Sequence, residues 1–172
     1  KSVIAPIFYD IVTRQCIHKL NNLNLYSFFK NIITFIICGS KWGQSRAGTI
    51  SKVGNNYGID INSLNTEIVK TEWSPGGCML HRKKNLINYD YFPFLGKAYC
   101  EDLIHSFLLT KNYIKIYVYK HASCFTDFPT FPNNKYETIK YLQALKFYNK
   151  LKKNLTPRFY IWYFLNYFRN IF

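Results

Sequence analysis

Acidic residues are scarce in this sequence: Asp and Glu number 9 against 23 Lys and Arg, which gives a formal net charge of +14. A surface with this charge attracts phosphates and anionic lipids, so nucleic acids, membranes and phosphorylated substrates are the partner classes that fit. Coding bias is a second explanation, because the chain is rich in Lys, Asn, Ile, Tyr and Phe, the residues that AT-rich codons favour.

The sequence also lacks a long hydrophobic run and any C-x-x-C pair. Its most apolar stretch, residues 32–38, falls far short of the roughly 20 residues that a membrane-spanning helix needs, and it predicts a core helix. The 5 scattered cysteines indicate neither a zinc site nor a redox dithiol, and they favour a reducing compartment. The hydrophobic fraction of 48% is enough for a packed core, so the chain should fold.

The order of strand and helix patterns predicts an α/β fold. The first strand is apolar throughout, so we expect both of its faces to be covered, and Gly39 is expected to end the first helix. The predicted elements are strands at 2–9, 66–73, 114–119 and 123–125, and helices at 23–38, 101–112, 136–153 and 158–172.

The glycine-rich, basic stretch 39–58 contains a turn at 53–58, which we expect to join two short strands. Such a hairpin is either a mobile cover over a site or an ordinary surface loop, and the residues alone leave both interpretations open.

The composition changes after residue 128. Pro129 and Pro132 predict a hinge, and Thr156 and Pro157 are suited to cap and begin the last helix. We therefore divide the chain into residues 1–128 and a basic, aromatic helical tail at 129–172. Lys and Arg mixed with Phe, Tyr and Trp suit a helix in a membrane interface, and packing on the rest of the protein or on a second copy is the alternative.

Common catalytic signatures are missing. There is no G-x-x-x-x-G-K-[ST], G-x-G-x-x-G, H-E-x-x-H or G-x-S-x-G motif, and the 4 histidines show no metal-ligand spacing. The adjacent acids Glu101 and Asp102 stand out against the basic background. They either complement the dipole of the helix that they begin, or provide a general base within hydrogen-bond reach of a hydroxyl.

Three segments in this order and spacing form a recognisable pattern: WSPGGCMLHR at 73–82, YFPF at 91–94 and GKAYCEDLIHS at 96–106. They closely resemble the acceptor-side half of family 2 glycosyltransferases of the GT-A fold, and the resemblance extends over residues 4–127. It implies a partial GT-A-like, Rossmann-like mixed sheet with flanking helices.

The resemblance also implies roles for residues. Asp102 would be the catalytic base of an inverting transfer from a nucleotide-sugar, with Glu101 as an orienting neighbour. The Gly-Gly turn would admit the donor sugar or diphosphate. Trp73 would pack against the acceptor ring, and a buried strand-end aromatic is the alternative for this residue. The implied substrate-binding group is Trp73, Gly76, Gly77 and Cys78.

The chain departs from the family pattern in two respects. It contains no D-x-D motif to hold a divalent metal, Mg or Mn, on the donor diphosphate. We expect the nucleotide-binding half to precede Lys1, and the chain by itself to be inactive. Many relatives also place a metal-binding His after the catalytic helix, where this chain offers His121 and Asp127 as weak candidates.

The resemblance implies a bacterial enzyme of cell-surface polysaccharide synthesis. Its acceptor would be a saccharide or a lipid-linked glycan, and it would lie in the cytoplasm at the inner face of the membrane, attached through residues 157–172. The alternatives are a nucleic-acid-binding module and a membrane-associated protein without enzymatic activity. A stacking platform for nucleic acid needs aromatics on an exposed strand face, whereas here they concentrate in helices and strand interiors, so nucleic acid is not the favoured partner.

Overall fold

The computed structural model describes residues 1–18, 25–61, 65–88, 98–127 and 135–169. The first helix, α1 (Leu25–Ile33), continues as a π-helical turn over Thr34–Cys38, and 3-10 turns lie at Gly43–Arg46 and Lys83–Asn85. The main elements within the described residues are β1 (Ser2–Asp10), α1 (Leu25–Ile33), β2 (Ile68–Thr71), α2 (Glu101–Lys111), β3 (Lys115–Thr126), α3 (Lys135–Leu151) and α4 (Pro157–Arg169).

The fold is mixed α/β, built on an open three-stranded mixed sheet of order β1-β3-β2. Strand β3 lies in the centre, parallel to β1 and antiparallel to β2. Outside the named strands, Leu80 pairs with Ile4 on the other edge of β1 through two backbone hydrogen bonds. The α/β class predicted from the sequence is confirmed at this level.

The two short strands expected at 114–119 and 123–125 are a single strand, β3. Its pairing with β1 shifts between Ala5 and Ile7, where Ala5 opposes Val118 and Ile7 opposes Ser123. The ladder is interrupted beside Pro6, which has no backbone N–H to donate. The extra residues of β3 form a bulge at this point. In the sequence, this bulge has the pattern of a break between two strands.

Strand β1 is covered along one face and only in part along the other, where Phe8 is buried, so the expectation of two covered faces holds only in part. Val3, Ala5 and Ile7 are buried, whereas Ile4 between them is 38% exposed. The buried residues contact α2 and the segment around Ile59. Because these elements pack on the same side of the sheet, the opposite side of β1 stays partly open.

The turn near residues 51–56 docks on helix α3. It has one isolated bridge, between Ile50 and Asn56, in place of the two short strands that we expected. The side chain of Asn149 donates to the carbonyl of Val53 at 2.9 Å, and Val53 is fully buried. The turn is therefore part of the core packing rather than a cover over a site.

The helix predictions are confirmed where the structure describes them. Gly39 ends the first helix in the left-handed conformation, and α2 ends at Lys111. The backbone N–H of Phe159 donates to Thr156 Oγ1 at 3.3 Å, which is the cap expected for α4. The predicted hinge at Pro129 and Pro132 lies outside the described residues.

The largest core cluster joins α2 to both tail helices. Phe159 and Trp162 of α4 are buried in it, so one face of the tail packs on the rest of the protein. No helix in the described part of the chain has the length and apolar character to cross a membrane. The buried residues of this cluster include Trp73, Leu103, Ile104, Leu108, Leu142, Leu145, Tyr148, Phe159 and Trp162.

Candidate active site

Helix α2 begins with Glu101 and Asp102 directly after a strained residue. Cys100 has φ 59°, in the left-handed region, and makes no side-chain capping hydrogen bond. Asp102 Oδ1 accepts the N–H of Leu103 at 2.9 Å, and acids in a first helical turn interact favourably with the helix dipole. The pair therefore stabilises the start of α2, in addition to any catalytic role.

A buried hydrogen bond holds the Gly-Gly turn against α2. The backbone N–H of Ser74 donates to Ser106 Oγ at 3.3 Å, and both serines are buried. Ser106 lies one helical turn after Asp102, so this bond brings the Gly-Gly turn over the beginning of the helix. A Cβ placed on Gly76 would lie 3.7 Å from Asp102 Cβ. The turn and the acid are therefore close enough that an added methyl group on Gly76 would touch Asp102.

A cleft of about 370 Å³ opens where the turn meets the helix. Its size falls within the range of small-molecule sites in proteins. Two carboxyl groups and two imidazoles face one space, so the cleft contains groups that can exchange protons. The lining residues are Gly76, Met79, His81, Glu101, Asp102 and His105.

Burial raises the pKa of Asp102 to about 6, from an ordinary value of 3.8. The neighbouring charge of Glu101 raises it further, while backbone hydrogen bonds, including the one from Leu103, lower it. The net increase shows that loss of water outweighs the stabilising bonds at the start of the helix. A carboxylate that only capped the helix would have a lowered pKa.

His81 and His105 are site residues that the sequence analysis did not select. Their ring centroids are 5.3 Å apart, and burial together with His81 lowers the pKa of His105. In the sequence, the histidines were compared only with the spacing that metal-binding histidines show. A usable signal was present, because His105 follows Asp102 by three residues and Glu101 by four, which places all three on one helical face.

Trp73 lies in the core instead of the cleft. It is 4% exposed, and its indole N–H donates to the carbonyl of Tyr57 at 2.9 Å. Its ring meets His18 edge to face, with centroids 5.8 Å apart. The structure thus places this residue as the strand-end core aromatic, the alternative that the sequence left open, and its side chain presents no face to the cleft.

Gly77 and Cys78 follow Gly76 but turn away from the cleft lining. A Cβ on Gly77 would lie 3.9 Å from Phe8 Cε1, on the β1 side of the turn. Cys78 is exposed, and its thiol lies within hydrogen-bond reach of the Cys124 thiol on β3. Of the four predicted substrate-binding residues, only Gly76 lines the cleft with the acids.

The two candidate metal ligands are exposed near the sheet. His121 Nε2 lies 3.8 Å from Glu67 Oε1, and Asp127 follows the end of β3. Neither lines the cleft. Within the described ranges no group of three His, Cys, Asp or Glu residues could hold a metal ion. His121 and Asp127 therefore do not provide the set of ligands that a divalent cation needs.

Comparisons with models of protein families, with curated proteins and with solved structures found no match for this chain. We therefore infer function from the chemistry of the cleft.

Proposed function

We propose that this chain provides the acceptor side of an inverting glycosyltransferase, similar to family 2 enzymes of the GT-A fold, with Asp102 as the general base. The observation that carries the proposal is a carboxyl group with a pKa of about 6 in a cleft that Gly76 also lines. A base is most effective when its pKa lies near the working pH, and burial has moved Asp102 into that range.

The reaction needs one proton transfer and one displacement. The ionised carboxylate of Asp102 removes the proton of an acceptor hydroxyl as the hydroxyl oxygen attacks the anomeric carbon of a nucleotide-sugar. The bond from that carbon to the diphosphate oxygen breaks on the opposite face, and the nucleoside diphosphate leaves with the electron pair. Configuration at the anomeric carbon is inverted, and Asp102 ends the step protonated.

The environment of His105 suits this chemistry because it favours the neutral imidazole. The lowered pKa of His105 keeps its imidazole uncharged at neutral pH. A positive charge beside Asp102 would lower the pKa of the carboxyl group and weaken the base. Neutral imidazoles can still exchange hydrogen bonds with sugar hydroxyls, so we assign His81 and His105 to acceptor binding and Glu101 to the cleft rim.

The proposal assigns only part of an enzyme to this chain. The D-x-D motif that would hold Mg or Mn on the donor diphosphate is not among these 172 residues. We therefore place here the base, the acceptor site and a peripheral membrane attachment through residues 157–172. The acceptor class is a saccharide or a lipid-linked glycan at the cytoplasmic face of a membrane.

The test is sugar transfer by the full-length product of the gene that encodes this chain. Labelled UDP-glucose, UDP-galactose, UDP-N-acetylglucosamine and GDP-mannose would be offered in turn with a membrane lipid extract as acceptor. Asp102→Asn is expected to reduce the transfer rate by about 10²- to 10⁴-fold, the usual contribution of a general base.

Glu67→Gln is the matched control, because Glu67 is an exposed acid outside the cleft. It should leave the rate within about twofold of the wild type, since exposed substitutions away from a site change little. A folded Asp102→Asn protein that transfers sugar at the wild-type rate would overturn the assignment of the base. Absence of transfer by the wild type from all four donors would count against the activity itself.

A further inference from the structure

Two segments of the described chain leave large apolar side chains exposed. The first group, the α1 patch, comprises Phe28, Phe29, Ile33, Phe35, Ile36 and Trp42. The second group, the α4 patch, comprises Tyr160, Ile161, Phe164, Leu165 and Phe168. Together they hold more than half of the large hydrophobic side chains that the described residues leave exposed. Concentrations of this kind mark interaction surfaces, because soluble monomers rarely keep them without a function.

Direct contacts join the segments that carry the two patches. The side chain of Trp162 lies within hydrogen-bond reach of the sulfur of Cys38, at the end of the π-helical turn that extends α1. The guanidinium of Arg158 lies so close over Gly39 that a Cβ there would collide with it. The segments that carry the patches are therefore packed together in the fold, although more than a hundred residues separate them in the sequence.

Buried residues fix the α4 patch from behind, and aromatic contacts within the α1 patch hold Trp42. In α4, Phe159 and Trp162 are buried, which directs residues 161, 164, 165 and 168 outward at a spacing of three and four. The Trp42 ring is held by edge-to-face contacts with Phe28 and Phe35, at centroid distances of 6.0 and 5.7 Å. The exposed aromatics thus stand on ordered elements rather than on loose loops.

The charge of these segments identifies their partner. No acidic residue lies within 11–59 or 138–172, although 13 of the 23 Lys and Arg residues do. Exposed Lys52 and Lys153 and half-buried Arg158 lie in the segments that bear the patches, as does exposed Lys41, whose Nζ lies 3.9 Å from Glu72 Oε1. A second copy of the chain would bring the same positive charge to this face and be repelled. A bilayer with anionic lipids offers apolar depth and negative charge together.

We propose that the α1 patch and the α4 patch form one docking surface for a bilayer that contains anionic lipids. The inference deepens the membrane attachment in the proposed function, which rested on residues 157–172 alone, by adding α1 and Trp42 as a second anchor. Two adjoining anchors fix the orientation of the molecule on the lipid surface, whereas a single helix would leave it free to rotate about its axis.

Binding of the purified chain to lipid vesicles tests the proposal. The vesicles would contain phosphatidylcholine with or without about 30% phosphatidylglycerol, the anionic component. Trp42 is 44% exposed, whereas Trp73 and Trp162 are buried. All three tryptophans fluoresce, but brominated lipids should quench mainly Trp42, because its ring is the exposed one. Trp42→Phe should remove most of the quenchable signal.

Matched pairs of substitutions separate the two anchors. Phe29→Gln with Ile33→Gln alters the α1 patch, and Phe164→Gln with Leu165→Gln alters the α4 patch. Each pair is expected to weaken partitioning into anionic vesicles by at least about tenfold, because affinity scales with the buried apolar area. Leu86→Gln with Tyr113→Gln, two exposed apolar residues elsewhere, should leave partitioning within about twofold of the wild type.

Three outcomes would overturn the inference: wild-type partitioning by the α1 pair, an unquenched Trp42, or equal binding to vesicles without phosphatidylglycerol. A dimer in light scattering that the α1 pair abolishes would show instead that this face binds a second copy. Asp102→Asn should bind vesicles as the wild type does. Loss of sugar transfer with normal vesicle binding would therefore bear on the proposed enzyme and not on this surface.

Discussion

At the scale of single residues, the ionisation of Asp102 links the cleft to the stability of the fold. Its pKa in the folded protein, about 6, is above the ordinary value of 3.8. The folded state therefore binds the proton more tightly than the unfolded state. As the pH rises from 3.8 to 6, the free energy of unfolding falls by roughly 1.4 kcal/mol per pH unit. Above pH 6 the full cost of ionising Asp102 in the folded protein is present, and it amounts to at most about 3 kcal/mol.

Asp102→Asn is consequently expected to stabilise the protein at neutral pH. Removing the buried charge should raise the free energy of unfolding by about 1–3 kcal/mol at pH 7.5, and the gain should shrink towards zero near pH 4. Urea denaturation at the two pH values measures this, with Glu67→Gln as the control that should change neither. A less stable Asn variant at pH 7.5 would mean that the carboxylate serves chiefly to cap helix α2.

The sequence predicted individual residues well where a local pattern sets their role. Thr156 caps α4, and Gly39 ends the α1 region in the left-handed conformation. The roles of residues that depend on distant contacts were harder to predict. The burial of Trp73 depends on Tyr57, and the pairing of His81 with His105 depends on the docking of the Gly-Gly turn against α2. Neither contact has a signature in the local sequence.

At the scale of elements, glycines in two turns have different requirements. Gly54 has φ +96°, and a Cβ there would lie 2.8 Å from Asn149 Nδ2, the group that holds the turn against α3. The Gly76 turn has room, because its nearest neighbour is Asp102 at van der Waals distance. One turn therefore needs glycine for folding, whereas the other uses it to keep the cleft open.

Substitution by alanine distinguishes the two turns. Gly54→Ala is expected to lower the free energy of unfolding by more than about 1 kcal/mol, because the backbone is strained and Asn149 must move. Gly76→Ala should change it by less than about 0.5 kcal/mol, since the new methyl group lies at an ordinary contact distance. Chemical denaturation measures both, and equal effects at the two sites would contradict this difference in role.

Strand and helix limits followed hydrophobic periodicity, so most were predictable to within a few residues. Continuity of strand β3 was not, because its bulge arises opposite Pro6 on another strand. The sequence also did not show how far each face of β1 is covered. An apolar run indicates that both faces could be buried, but it does not indicate which faces the neighbouring elements cover. Both errors come from contacts that a single sequence does not display.

At the scale of the whole molecule, the tail and the remainder share one core. Phe159 and Trp162 of α4 lie in the same cluster as Trp73 and Leu103. The sequence predicted a boundary at residue 128 because composition changes there. A composition change reports solvent exposure and charge, and it does not report which helices pack together.

We therefore expect unfolding in one cooperative transition. Fluorescence of Trp73 and of Trp162, each measured in a variant with the other two tryptophans changed to Phe, should give a denaturation midpoint that coincides with the far-ultraviolet circular dichroism midpoint of the same variant. Midpoints that differ clearly would show that residues 129–172 unfold as a separate unit. Far-ultraviolet circular dichroism of the same variants is the control that their helices are intact.

The central claim is that Asp102 is a half-buried carboxyl group with a raised pKa, able to take a proton in the cleft beside Gly76. Carbon-13 NMR of the side-chain carboxyl groups, titrated with pH, measures it directly, and the resonance missing in Asp102→Asn assigns the signal. The account predicts a titration midpoint for Asp102 near 6. A midpoint at or below 3.8 would mean that this carboxylate is hydrated or bound as a cap, and it would contradict the proposed base.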